Sequence, residues 1–88
     1  MKVYNMTSNN TGREVSNQFI IEDGGKVYFQ SYQTIIAVKE NGKITIDTDA
    51  ENYSRTTSKY LYQFLGTNRK NLLQDVKAGP IVRANLNV

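Results

Sequence analysis

Residues 15–30 read Val15-Ser16-Asn17-Gln18-Phe19-Ile20-Ile21-Glu22-Asp23-Gly24-Gly25-Lys26-Val27-Tyr28-Phe29-Gln30. Apolar and polar side chains alternate on both sides of a Gly-Gly pair, the pattern of a β-hairpin whose strands are each half buried. The loop length sets which residues share a face, because a slip of one residue turns every side chain over. A two-residue loop, Gly24-Gly25, sets Ile20 opposite Phe29 but Glu22 opposite Val27. A three-residue loop, Asp23-Gly24-Gly25, pairs Phe19 with Phe29, Ile21 with Val27 and Glu22 with Lys26. The longer loop collects apolar residues on one face and adds a cross-strand ion pair, so it is the predicted one. It places Ile20, Tyr28 and Tyr32 on the opposite face.

The next hairpin reads the same way. Ile36 and Val38 lead through Glu40-Asn41-Gly42 to Ile44 and Ile46. A three-residue loop pairs Val38 with Ile44 and Ile36 with Ile46; a two-residue Asn41-Gly42 loop sets Val38 against Thr45 and Ile36 against Asp47. The three-residue form is predicted again, with Gly25 and Gly42 both at positive φ. Between the hairpins, Ser31-Tyr32-Gln33-Thr34 must reverse the chain.

Working outward, Val3 and Tyr4 fit a short strand over residues 2–6, followed by a polar loop over 7–12. The run Asp47-Thr48-Asp49-Ala50-Glu51-Asn52 ends the β region and reads as a solvated loop. Beyond it the period changes. Leu61, Phe64 and Leu65 recur at helical spacing, with Ser54 or Thr56 as cap and Gly66 as stop. A second helix carries Leu72, Leu73 and Val76, capped by Thr67 or Asn68 and ended by Gly79-Pro80. The tail alternates once more. The predicted fold is α+β: an antiparallel meander of about four strands (about 15–22, 26–31, 35–39 and 43–47), two short helices (about 55–65 and 68–78) and a C-terminal strand (about 81–87), with the helices on one sheet face.

Several function classes are excluded by composition. The 88 residues form one domain and include no Cys and no His. Disulfides, zinc ribbons, iron–sulfur clusters and Ser–His or Cys–His nucleophiles are therefore out of reach. No cofactor is expected, and the chain is not expected to be an enzyme. Asn, Gln, Ser and Thr together number 28, which favours turns and exposed strand ends. No apolar run approaches the ~18 residues of a membrane span, and the opening Met-Lys-Val-Tyr-Asn-Met lacks a signal peptide's apolar stretch. The expected location is the cytoplasm.

The strings Asn17-Gln18-Phe19-Ile20-Ile21, Gly25, Tyr28-Phe29-Gln30-Ser31-Tyr32, Ile36-Ala37, Gly42, Tyr53-Ser54-Arg55-Thr56-Thr57-Ser58-Lys59-Tyr60 and Phe64-Leu65-Gly66 carry a likeness as a set. Over residues 4–87 the chain resembles an uncharacterised family of small proteins and domains carried by phages and prophages. The resemblance implies a phage-encoded factor acting in the cytoplasm of an infected bacterium. It carries over no catalytic residue.

Charge and aromatic placement supply the candidate sites. Residues 1–53 hold five basic and seven acidic groups; residues 54–88 hold six basic groups against the single acid Asp75. The six are Arg55, Lys59, Arg69, Lys70, Lys77 and Arg83, a candidate set for binding an anion or nucleic-acid backbone. Arg55 and Lys59 share a helix face at i, i+4. Six Tyr in a chain this short form the second feature. Tyr28, Tyr32, Tyr53, Arg55 and Lys59 are the candidate contacts for a protein partner, with Tyr28 and Tyr32 on an exposed sheet face. The hydroxyl run Ser54–Lys59 reads as a phosphate cradle or, more plainly, as helix capping. Asp47, Asp49 and Glu51 do not follow an EF-hand, since Asn52 stands where its Gly belongs, and no metal is expected. The leading expectation is a binding protein that occupies a surface of a host or phage protein, such as an inhibitor of a host enzyme or defence system. A nucleic-acid-binding module is the alternative, and an exposed strand edge leaves a homodimer open.

Overall fold

The computed structural model describes residues 1–87. Six strands, β1 (Lys2–Thr7), β2 (Glu14–Asp23), β3 (Lys26–Ser31), β4 (Thr34–Glu40), β5 (Lys43–Asp47) and β6 (Ile81–Ala84), form one sheet in the order β1-β2-β3-β4-β5-β6. The first five are an antiparallel meander, and β6 lies parallel to β5. A parallel neighbour needs a crossover. A short 3₁₀ turn (Ala50–Asn52) and helices α1 (Arg55–Leu65) and α2 (Arg69–Ala78) supply it. The class is α+β. The sheet has one strand more in its meander than the four expected, because Lys2–Thr7 joins it. The last strand stops at Ala84 rather than extending to residue 87.

Both hairpins turn through two residues, not three. Ile20 faces Phe29 and Glu22 faces Val27 across the first. Val38 faces Thr45 and Ala37 faces Ile46 across the second. Gly25 and Gly42 are at positive φ, 88° and 77°, as predicted. Their neighbours Gly24 and Asn41 are too, at 57° and 51°. Two successive left-handed residues make the type I′ turn, whose twist matches the right-handed twist of the strands it joins. That match outweighs the apolar pairing that favoured the longer loop. Lys26 accordingly forms its ion pair with Glu40 of β4, at 3.5 Å, rather than with Glu22.

The register sorts the two faces. Ile20, Phe29, Ala37 and Ile46 lie in one cross-strand row beneath the helices, and Phe29, Ala37 and Ile46 are fully buried there. Leu61 and Phe64 of α1, Leu72 of α2 and Ile81 of β6 close the core above them. Ile20 thus belongs to the covered face, opposite to expectation, and Phe19 and Ile21 turn outward. An extra residue in β4 between the Phe29–Ala37 and Gln30–Ile35 pairs lets Ile36 and Ala37 be buried in succession. A larger irregularity in β2 carries Asn17 at φ 66°. Beside it Gln18 is fully buried, with both ends of its amide unpaired.

The helix ends follow the expected caps. Ser54 Oγ accepts from Thr57 N at 3.0 Å, and Asn68 Oδ1 accepts from Asn71 N at 2.9 Å. Gly66 and Gly79 end the two helices. Lys39 reaches across from β4, donates to Phe64 O and lies 4.3 Å from the Phe64 ring centroid. Burial there pushes its ammonium pKa down.

Candidate functional site

The surface between α1 and the start of α2 is built from local rules. Capping by Ser54 starts α1 so that Arg55, Lys59 and Tyr62 follow one another at i, i+4 and i+7 along one stripe. The Gly66-Thr67-Asn68 connection leads into α2, whose first residue, Arg69, lines the same groove as that stripe. The result is an open groove of about 780 Å³ whose walls include Asn52, Arg55, Lys59, Tyr62 and Arg69.

Glu51 forms the floor. Its side chain is only 4% exposed. Arg83 of β6 grips it with both guanidinium nitrogens, Nη1 at 2.7 Å from Oε1 and Nη2 on Oε2. Nη1 also donates to Thr48 O at 3.1 Å. The Arg83 bonds hold the Glu51 carboxyl below its ordinary pKa against the opposing effect of burial, and the charges of Arg83 and Arg69 add to this. The floor charge is therefore already neutralised, and the groove's surface potential is set by Arg55, Lys59 and Arg69. Neither ion pair among the described residues uses any of these three.

Half of the six-cation set comes together. Arg55, Lys59 and Arg69 converge in the groove. Arg83 does not join them, because Glu51 has claimed it inside the fold. Lys70 and Lys77 stand two helical turns apart on α2 and do not line the groove.

The partner set separates as well. Tyr28 lies half-buried on the sheet face away from the helices, in the row Val3–Ile21–Tyr28–Val38–Thr45–Val82. Tyr32 is not on that face. It forms the β3–β4 turn at φ 56°, because a two-residue reversal takes up Tyr32 and Gln33. Tyr32 and Tyr53 instead flank a cleft of about 200 Å³ with Ser31 and Thr57 at its base. Arg55 and Lys59 belong to the groove.

The hydroxyl run is spent on structure. Ser54 caps α1, Ser58 Oγ donates to Glu51 O at 2.8 Å, and Thr57 Oγ1 lies 2.9 Å from Ser31 Oγ. Asp47 is likewise no solvated loop residue, at 4% exposure. It accepts from Tyr53 Oη at 2.5 Å, Leu86 N at 3.0 Å and Asn87 Nδ2 at 3.2 Å. Burial raises its pKa, but these bonds and one from Thr48 bring it below the ordinary value. The same bond, with burial and the charges of Asp47 and Asp49, pushes the Tyr53 phenol up to about 12. Asn87 also meets both backbone groups of Ile35, accepting from N at 2.7 Å and donating to O at 2.9 Å. Its amide thereby replaces a strand neighbour beyond the end of β5.

Sequence reasoning missed Tyr62 and Asn52 in the groove and Glu51 beneath it. Tyr62 was available from the i+7 spacing to Arg55. The Glu51–Arg83 pair spans 32 residues and left no local signal.

A family model described as a family of unknown function, DUF8033, matches residues 1–77. No curated protein and no solved structure matches the chain. The matched span takes in the whole five-stranded meander and the three groove cations. It covers most of the 88 residues, and the chain therefore belongs to the DUF8033 family.

Proposed function

We propose that this chain is a non-enzymatic binding protein that occupies an acidic surface of a partner protein through the Arg55–Lys59–Arg69 groove. The observation that carries this reading is the convergence of three cations that make no ion pair among the described residues around a floor whose own charge is neutralised. Guanidinium forks on Arg55 and Arg69 match carboxylates in two-point geometry, and the Tyr62 ring offers apolar area beside them. The three cations lining one groove suit a cluster of acidic side chains.

The carboxylates argue against catalysis in the same terms. A general acid at neutral pH needs a raised pKa. Asp47 and Glu51 are both lowered, and each is committed to structural bonds. In the phage setting implied by the sequence resemblance, the partner is a host or phage protein in the host cytoplasm. Occupying a host enzyme or a defence effector, as an anti-CRISPR does, would make this chain an inhibitor.

A nucleic-acid backbone is the second reading. It is favoured by the position of Arg69 at the first turn of α2, where backbone N–H groups add to the positive field. Fluorescence anisotropy with a polyglutamate peptide and with an oligothymidylate strand separates the two. Polyglutamate binding that falls at least about tenfold in Arg55→Glu and Arg69→Glu is expected. Preferential oligothymidylate binding with a steep salt slope would shift the function to the second reading. Failure of both probes would remove the groove as a binding site. A pull-down from infected-host lysate, with and without nuclease, gives the same division for native partners.

A further inference from the structure

The sheet face away from the helices carries two ordered rows. One is the mainly apolar row Val3–Ile21–Tyr28–Val38–Thr45–Val82, polar only at Thr45, with one residue from each strand. Its central members are half-buried by their sheet neighbours, and its outer members Val3 and Val82 are 55% and 56% exposed. The other row is Asp23–Lys26–Glu40–Lys43, beside the two hairpin turns on β2 to β5. Its signs alternate as minus, plus, minus, plus. No described element lies over either row, since both helices pack on the opposite face.

We infer that this face pairs with the same face of a second copy of the chain, about a two-fold axis running along the strands between β3 and β4. Such an axis reverses the strand order and preserves position along the strands. β1 then faces the second copy's β6, β2 faces its β5, and β3 faces its β4. The charged row is its own complement under that operation: Asp23 meets Lys43 of the other copy and Lys26 meets Glu40. A two-fold axis across the strands would instead carry the charged row onto the far end of the sheet, where it finds no matching charges. The apolar row is self-matching too. Tyr28 meets Val38, and the exposed pair Val3 and Val82 cover one another. Within one chain, Asp23 and Lys43 sit on strands separated by two others and form no ion pair with each other. The second copy supplies an ion-pair partner that neither has among the described residues.

The area suits a weak, reversible pairing. Six strands about 4.8 Å apart, each contributing about five residues of ~3.3 Å rise, present roughly 475 Å² of projected face per copy. The pair therefore buries roughly 950 Å², in the range of transient interfaces.

Sedimentation velocity across the micromolar range tests this arrangement, with circular dichroism confirming that each variant is folded. The wild-type chain is expected to move from the 10.0 kDa species toward twice that mass as concentration rises. Asp23→Lys alone and Lys43→Asp alone each weaken pairing by about tenfold, one lost charge pair at each of two symmetric places. The double swap Asp23→Lys/Lys43→Asp restores it, because the new charges again face their opposites. Tyr28→Glu abolishes it. A wild-type chain that stays monomeric throughout overturns the inference. So does a dimer indifferent to Tyr28→Glu, which would point to the β1 edge, or two weakened single variants that the double swap fails to rescue.

Discussion

The two faces of the sheet are made from similar residues and have opposite fates. Phe29 and Ile20 face the helices and are buried; Tyr28 and Ile21, their immediate chain neighbours, face outward and are half-buried. Hydrophobicity alone does not separate these pairs. What separates them is register, set by two-residue turns at Gly24-Gly25 and Asn41-Gly42. Apolar residues on a strand mark two potential faces, and the choice between core and surface is made at the turns.

The contrast can be broken most directly with neighbouring truncations, measured by urea unfolding in dilute solution. Phe29→Ala is expected to cost about 3–5 kcal/mol, for lost transfer energy and the cavity left behind. Tyr28→Ala should cost about 1 kcal/mol, since its surroundings stay partly hydrated. Equal costs would mean that the faces are not distinct. Arg83→Met tests the polar side of the covered face. It leaves Glu51 buried without its partner and should cost about 3 kcal/mol, whereas Glu51→Gln, which leaves the more exposed guanidinium able to reach water, should cost less. Gln18→Met works in the opposite direction. It removes a buried amide with no bonding partner at nearly constant volume and should stabilise by about 1–3 kcal/mol.

Smaller effects sharpen the picture at the sheet's end. Asp47 and Glu51 have lowered folded-state pKa values, so their contribution is complete above the ordinary values of 3.8 and 4.5 and declines as pH falls through the folded ones. Stability should therefore begin to fall as pH drops below the ordinary 4.5 of Glu51, and Asp47→Asn should lessen the steepness of the loss. Tyr53 has the opposite sign. Its raised pKa contributes stability that is present below the ordinary 10.0 and lost as pH climbs toward about 12. In an ultraviolet alkaline titration the last phenolate to form should be absent from Tyr53→Phe.

What the sequence disclosed was local. Ser54, Gly66, Asn68 and Gly79 announce the two helices because caps act within one turn of the chain. Arg55 and Lys59 could be placed on one face by spacing alone. The hairpin registers are not legible in the sequence because positive φ at Gly25 and Gly42 fits both loop lengths. In addition, Phe19, Ile20 and Ile21 offer apolar groups to either face. Arg83 counts among the free cations by sequence because its partner lies far off in the chain, and Tyr32 takes its expected face from the alternation of a strand that ends one residue earlier.

The parallel β5–β6 pairing has a kinetic consequence. Every other strand contact joins chain neighbours, whereas Ile44 must find Ile81 across the stretch of chain that holds both helices. Long closure comes late in folding, and a four-residue strand has little to retain it. β6 is then the last strand to dock and the first to leave, and its departure bares the edge of β5. A chain caught in that state offers an unpaired strand to any neighbour at the same stage, which makes transient fraying of β6 the expected gateway to strand exchange and aggregation.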